Sequence, residues 1–246
     1  MSSLPPVVEA FDAHQRRAIS VLSRVLKQLQ VGMSEADADE LCREEARSEG
    51  FTDWFHPPEV AFGGRTLDQK VWSRPSGSAR LKAGDLAMVD IAPATDQAYG
   101  DIGATIYMGD GGGAPEPDLL SVSRECVRGC VGYSSHLKTV GEVFIYARAW
   151  AVNNRLTFAN RRSIGHRLIP LDEAPFGGGP KMAHSATWLR RHQVHMLNPD
   201  RIDGLWAFRP HLADERNGAS FEEAIWVSGD QMKILGRDSL EEVGAF

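Results

Sequence analysis

Two aspartates sit inside apolar, strand-forming segments, and they constrain this chain more than any other feature. Asp90 lies in Leu86-Ala87-Met88-Val89-Asp90-Ile91, and Asp101 in Tyr99-Gly100-Asp101-Ile102-Gly103. Polar Thr95-Asp96-Gln97 falls between them, so the two runs read as one hairpin, with strands at 86–91 and 99–108. A carboxylate in the middle of a buried strand is costly unless it is paired or binds a cation. A turn or cap role fits Asp90 poorly, because the turn signals come several residues later. With the turn near Thr95-Asp96, the aspartates are expected roughly opposite each other and on the same face. Like charges that close are unfavourable unless a cation sits between them. Hard divalent metals prefer oxygen ligands, so the pair points to a metal site.

The rest of the chain supplies helices and further strands around this hairpin. Phe11, Ala18, Ile19, Leu22, Val25, Leu26 and Leu29 recur at helical spacing, which predicts a helix over about residues 8–30. Ser34 opens a second helix with Asp37 as its capping-box acid, and Gly50 ends it. The stretch from Phe51 is broken by Pro57-Pro58 and Gly63-Gly64 and reads as strand and loop. Two more helices are expected over about residues 117–138 and 141–154, and strands at 205–208, 221–227 and 232–235. Helix, helix, strands thus occurs twice, a pattern compatible with internal duplication. No linker rich in Pro, Gly or Ser divides the chain, so one domain over 1–246 is expected.

Composition excludes some functions. With 27 Lys+Arg against 33 Asp+Glu the net charge is -6, and the basic clusters are short, which argues against a nucleic-acid partner. No apolar run of about 18 residues exists, so no membrane span is expected. The first residues lack the basic and apolar regions of a signal peptide, which predicts a cytoplasmic protein. Cys42, Cys126 and Cys130 are too few and too scattered for a disulfide framework and read as small buried residues.

The run Leu81-Lys82-Ala83-Gly84-Asp85-Leu86-Ala87-Met88-Val89-Asp90 resembles the strand before the catalytic site in peptidase family M24, the methionine aminopeptidase, Xaa-Pro peptidase and creatinase-like group. That family has two Asp eleven residues apart, then a His, then two Glu. Asp90 and Asp101 match the first spacing, Ile164-Gly165-His166 the Gly-His element, and Phe221-Glu222-Glu223 the last Glu. The resemblance runs over about residues 9–236 and implies an α+β "pita-bread" fold, two related halves around a curved antiparallel sheet. It also implies that Asp90, Asp101 and Glu222 serve one metal ion. His166 and a further Glu would serve a second ion, with Asp101 and Glu222 bridging.

That further Glu is missing. The family strand ends in Glu-Pro, and this chain has Phe208-Arg209-Pro210. Arg209 puts a permanent cation where the family has an anion. Three carboxylates and one guanidinium suit one divalent ion (Mn, Fe, Co or Zn) or none. The arginine is expected to pair with Asp101 or Glu222, or to hold a substrate carboxylate. The alternative is a solvent-facing Arg209 with Glu215 taking over. The histidines that the family uses on substrate, one before the first Asp and one after His166, have no counterpart; His184, His192 and His195 are spare. His211 and His56 are the best substitutes, with Trp54, Phe55 and Phe62 as pocket walls.

Three functions remain in competition. The first is a metal-dependent enzyme with one ion on Asp90, Asp101 and Glu222, with or without His166, and with Arg209 stabilising developing negative charge. Hydrolysis of a small amino-acid-like or peptide-like substrate is its default reaction, with lyase or redox chemistry left open. The second is a metal-free, creatinase-like enzyme with His166 as acid–base. The third is a binding protein that kept the fold without the chemistry. The catalytic candidates are His166, Arg209 and Glu222, and the candidate substrate contacts are His56, Phe62, Arg209 and His211. A homodimer is left open.

Overall fold

The computed structural model describes residues 4–67, 74–109, 116–159, 163–169 and 192–239. Helix α1 (Pro6–Gln28) lays Phe11, Ala18, Ile19, Leu22 and Val25 into the core, as the helical spacing requires. Helix α2 (Glu35–Ser48) starts from a complete capping box between Ser34 and Asp37. Strand β1 (Asp53–Phe62) leads through a 3-10 turn to the hairpin β2 (Leu86–Ala94) and β3 (Ile102–Tyr107). Together they form an antiparallel sheet in the order β1-β2-β3. All nine residues of β2 are buried, so apolar matter covers both of its faces.

A second helix pair follows, α3 (Asp118–Ser134) and α4 (Val140–Asn153). Then come β4 (Thr157–Phe158), β5 (Gly165–Arg167), β6 (Gly204–Phe208), β7 (His211–Ala213), β8 (Gly218–Ser220), β9 (Glu223–Ser228) and β10 (Gln231–Ile234). They form two antiparallel sheets, β10-β9-β6-β5 and β4-β7-β8. The repeat of helix, helix, strands expected from sequence is thus the order of the fold. The strand expected at 221–227 begins two residues later, because Phe221 and Glu222 belong to the connection between β8 and β9.

The halves meet where the site lies. The Glu222 N–H donates to the Gly103 carbonyl at 3.0 Å. Thr105 Oγ1 donates to the Ser220 carbonyl at 3.0 Å and accepts from the Ser220 N–H at 3.0 Å. These bonds stitch β3 to the end of β8 and to the connection that carries Glu222. Cys42, Cys126 and Cys130 are buried and unbridged, as expected. No helix among the described residues is long and apolar enough to cross a membrane.

Candidate metal centre

Strand alternation places Asp90 on one face of β2, with Ala87, Val89 and Ile91 on the other, packed in the core. The register corrects one expectation. Asp90 faces Gly103, not Asp101, and Ile91 faces Ile102. Asp101 therefore sits one step diagonally from Asp90, on the same face. The glycine opposite Asp90 matters: a Cβ there would lie 3.2 Å from Asp90 Cγ. Gly103 thus leaves room for the carboxylate while its carbonyl anchors Glu222. Asp101 is held from outside the sheet. The Gln15 side chain of α1 accepts from the Asp101 N–H and donates to the Asp101 carbonyl, both at 2.8 Å.

Asp90, Asp101 and Glu222 are 2%, 1% and 2% exposed. His166 brings its Nε2 to 2.9 Å from Asp101 Oδ2. Its Nδ1 lies 3.1 Å from the Arg167 carbonyl, which can only accept, so Nδ1 carries the proton there. That bond aims Nε2 into the site, the usual support for a metal-ligating histidine. Gly165 makes the approach possible, because a Cβ on it would lie 2.0 Å from the Ala207 carbonyl oxygen. Phe55 stacks on the His166 ring at 5.4 Å and on Tyr99 at 4.3 Å, so it does help wall the site.

Arg209 follows β6 and points into the cluster, but its partners differ from those expected. Its Nη1 lies 3.1 Å from Glu59 Oε2 and touches Asp90 Oδ2, and the Glu222 charge also acts on it. Glu59 stands directly opposite Asp90 on β1. It is a fourth acid that the reading of the sequence missed. The signal was available, because Pro58-Glu59-Val60-Ala61-Phe62 is another acid in an apolar run. Glu215 is exposed on the turn between β7 and β8 and takes no part.

His56 also joins the cluster, with Nε2 at 3.5 Å from Asp101 Oδ1 and 3.6 Å from Asp90 Oδ1. Phe62 does not. It pairs with Ala87 and packs with Val60 and Val89 in the core, on the face of the sheet away from Asp90. Trp54 lies under the Arg43 guanidinium instead. His211 is 1% exposed and sits against Thr66 and Gly218. His192 lines a cavity with Arg167, Leu168 and Trp226, His195 Nδ1 accepts from the Leu197 N–H, and His184 falls outside the described residues.

The charges perturb one another strongly. Burial and the neighbouring Asp101 charge push Glu222 up to about 7, against the pull of Arg209, His166 and His56. Burial opposes ionisation of Asp101, yet its contacts with His166 and His56 hold it well below the usual carboxylate range. Burial would lower His166, but Asp101, then Glu222, raise it to about 9. Burial and then the Arg209 charge depress His211 to about 3.

Among the described residues, two overlapping groups could hold a metal ion: Asp101, His166 and Glu222, and His56, Asp90 and Asp101, each with ligand atoms within 4.8 Å of one another. Asp90 Oδ1 and Glu222 Oε2 are buried and have no hydrogen-bond partner among the described residues. Buried acceptors of this kind fit a cation. The two groups share Asp101, and Arg209 stands beside Asp90.

The fold has close counterparts among solved structures. The dipeptidase PepE from Mycobacterium ulcerans matches with a TM-score of 0.73 and 19% identity, covering 96% of this chain and 59% of that one. The X-Pro aminopeptidase from Thermotoga maritima matches with a TM-score of 0.72 and 15% identity, covering 96% and 62%. A methionine aminopeptidase, also from Thermotoga maritima, matches with a TM-score of 0.72 and 17% identity, covering 95% and 98%. The chain thus spans about three fifths of the length of the first two and almost all of the third. None of the curated protein sequences matches it. The family model for metallopeptidase family M24 matches residues 9–229, and the chain belongs to that family.

Proposed function

We propose that this chain is a metal-dependent hydrolase of a small amino-acid-like or short-peptide substrate, with one tightly held divalent ion on Asp101, His166 and Glu222. One observation carries the reading. Arg209 leans on Asp90 and Glu59, which leaves two buried carboxylates and an oriented imidazole on the other side of Asp101. Two carboxylates and a neutral imidazole balance one divalent ion, and this donor set suits Mn, Fe, Co or Zn. The ion therefore shifts from the Asp90, Asp101 and Glu222 set expected from sequence to the His166 side.

When bound, the ion supplies Lewis acidity toward a carbonyl or a water. The protein supplies the rest. Glu222, buried beside Asp101, would be held ionised as a ligand of that ion, with its carboxylate next to the substrate. Arg209, held by Glu59 and Asp90, offers a fixed positive charge to negative charge that develops on the substrate. Phe55 holds the His166 ring plane by stacking on it.

Metal analysis of the purified, dialysed protein tests this. About one ion per chain is expected, lost in His166→Ala and in Asp101→Ala, with peptide hydrolysis lost on chelation and restored by metal. A chain that stays metal-free in Mn²⁺, Fe²⁺, Co²⁺ and Zn²⁺ would sink the proposal.

A second reading has its own support. Arg209 already lies on Asp90 and His166 on Asp101, so the acids can be neutralised without metal. Under that reading His166 is the acid–base of a creatinase-like reaction. Activity would then survive chelation and vanish in His166→Ala.

A further inference from the structure

We infer that the cavity between the start of α1 and the β10-β9-β6-β5 sheet is a second binding site, one for a small apolar monocarboxylate. The cavity has a volume of about 430 Å³, within the range of about 300–1,000 Å³ found for small-molecule sites. Val7 and Val8 form one wall, and Leu168, Leu205 and Trp226 form the other. None of Asp90, Asp101, Glu222, His56 and His166 lines it. Val8, Leu168, Ile169 and Leu205 belong to the apolar cluster that also contains Phe55 and Tyr99. The cavity and the metal centre therefore share a wall and no polar group.

The polar side chains of the lining are basic. Arg167 and His192 contribute, and no Asp or Glu does. The Arg167 guanidinium is set in place by its surroundings. It lies over the Trp206 ring, 5.7 Å from the centroid. Its Nη2 is 3.0 Å from the point where a Cβ on Gly204 would stand. Gly204, at φ +87°, thus leads the chain into β6 and leaves room for the guanidinium. Arg167 forms no ion pair among the described residues, so its N–H groups are available to an anion. Helix α1 begins at the same cavity with no side-chain cap, and its first turn adds to the positive potential.

Charge selects the ligand. A guanidinium at the edge of an apolar chamber fits one carboxylate on an apolar body. An ammonium group would find no acid in the lining and would lose its hydration without return. A free amino acid should therefore bind worse than the same skeleton without its amino group. The site differs in kind from the acid-rich metal centre, and it stands whether or not that centre holds an ion.

The test is a calorimetric titration of the full chain, with and without chelator, using three probes. Isocaproate is the leucine skeleton without its amino group, leucine restores the ammonium, and isocaproamide removes the charge. One isocaproate per chain should bind, and the other two probes at least about tenfold more weakly. Arg167→Met should weaken isocaproate at least about tenfold, and Arg167→Lys should recover part of the loss. Val7→Trp, at a 44% exposed position on the rim, should block the cavity with Arg167 still in place. A carboxylate held by a metal ion would instead be lost on chelation and in His166→Ala. Binding that survives chelation and falls in Arg167→Met supports the site. Unaltered affinity in Arg167→Met, binding that needs metal, equal affinity for the three probes, or no binding at millimolar concentration each overturns it and leaves the proposed function standing.

Discussion

Replacing Arg209 by methionine isolates what the guanidinium does. The side chain is 18% exposed and faces two acids, Asp90 at 2% and Glu59 at 18%. Removing one partner from a buried ion pair leaves an uncompensated charge, which costs about 3–5 kcal/mol. Arg209→Met strips one cation from two acids, while methionine retains most of the side chain's packing volume. The metal-free variant should therefore lose about 3–5 kcal/mol in urea unfolding at pH 7.5, a large share of a typical total of about 5–15 kcal/mol. Added Co²⁺ should restore part of the loss, since four carboxylates without Arg209 carry a charge that two divalent ions cancel. A metal-free loss under about 1 kcal/mol, the scale of an exposed surface pair, would refute the reasoning.

Three further outcomes are expected. Arg209→Glu should raise the tightly held metal from about one to about two ions per chain, by plasma mass spectrometry after dialysis; unchanged stoichiometry would place Arg209 away from the metal. Gln15→Leu removes both bonds to the backbone of Asp101, leaves a buried N–H and C=O unpaired, and should cost about 2–4 kcal/mol in unfolding stability. It should also weaken the tight ion, which a purely structural role for Gln15 would not do. Burial lowers the pKa of both His14 and His211, the latter to about 3, so folding holds them neutral while the unfolded chain protonates near 6.5. Stability contributed this way is complete above pH 6.5 and is lost as pH falls through each histidine's lowered folded-state value, by up to about 1.4 kcal/mol per pH unit. Urea melts of His14→Gln between pH 4 and 6.5 should show a shallower slope than wild type, and an unaltered slope would remove His14 from the account.

Most of the scaffold was legible because its causes are local. Ser34 and Asp37 are three residues apart, so the capping box that starts α2 is visible in one glance at the chain. Phe11, Ala18 and Leu22 mark the buried face of α1 for the same reason. Asp90 and Asp101 were legible through one rule, that an acid in an apolar strand needs a partner, and Glu222 through the family resemblance. What the rule leaves open is the partner itself. The hairpin turn set the face of the two aspartates correctly, but not the diagonal offset, which depends on register. Phe62 illustrates the same limit. Its aromatic side chain suits a pocket wall, but the pairing with Ala87 turns it to the opposite face.

The pairing of Arg209 depends on a contact across 150 residues, and that distance explains why it was misjudged. An arginine among metal ligands reads as the loss of a site when only the strand that bears it is considered. Across the fold, Arg209 meets Glu59, which stands opposite Asp90 on another strand. The two residues are complementary: a guanidinium beside Asp90 without Glu59 would drain the site of negative charge, and Glu59 without the guanidinium would crowd a third carboxylate against Asp90 and Asp101. Together they leave the local charge near that of the three remaining acids. The altered position is therefore compatible with a working metal site. Under the proposed function the cation lies on the His166 side of Asp101. The dependence of each on the other predicts that Glu59→Gln and Arg209→Met should be less than additive. In a double-mutant cycle read by metal-free stability, the double variant should recover at least about 1 kcal/mol of the summed losses. Strict additivity would mean that Glu59 and Arg209 act independently, and the charge argument for a retained metal site would lose its footing.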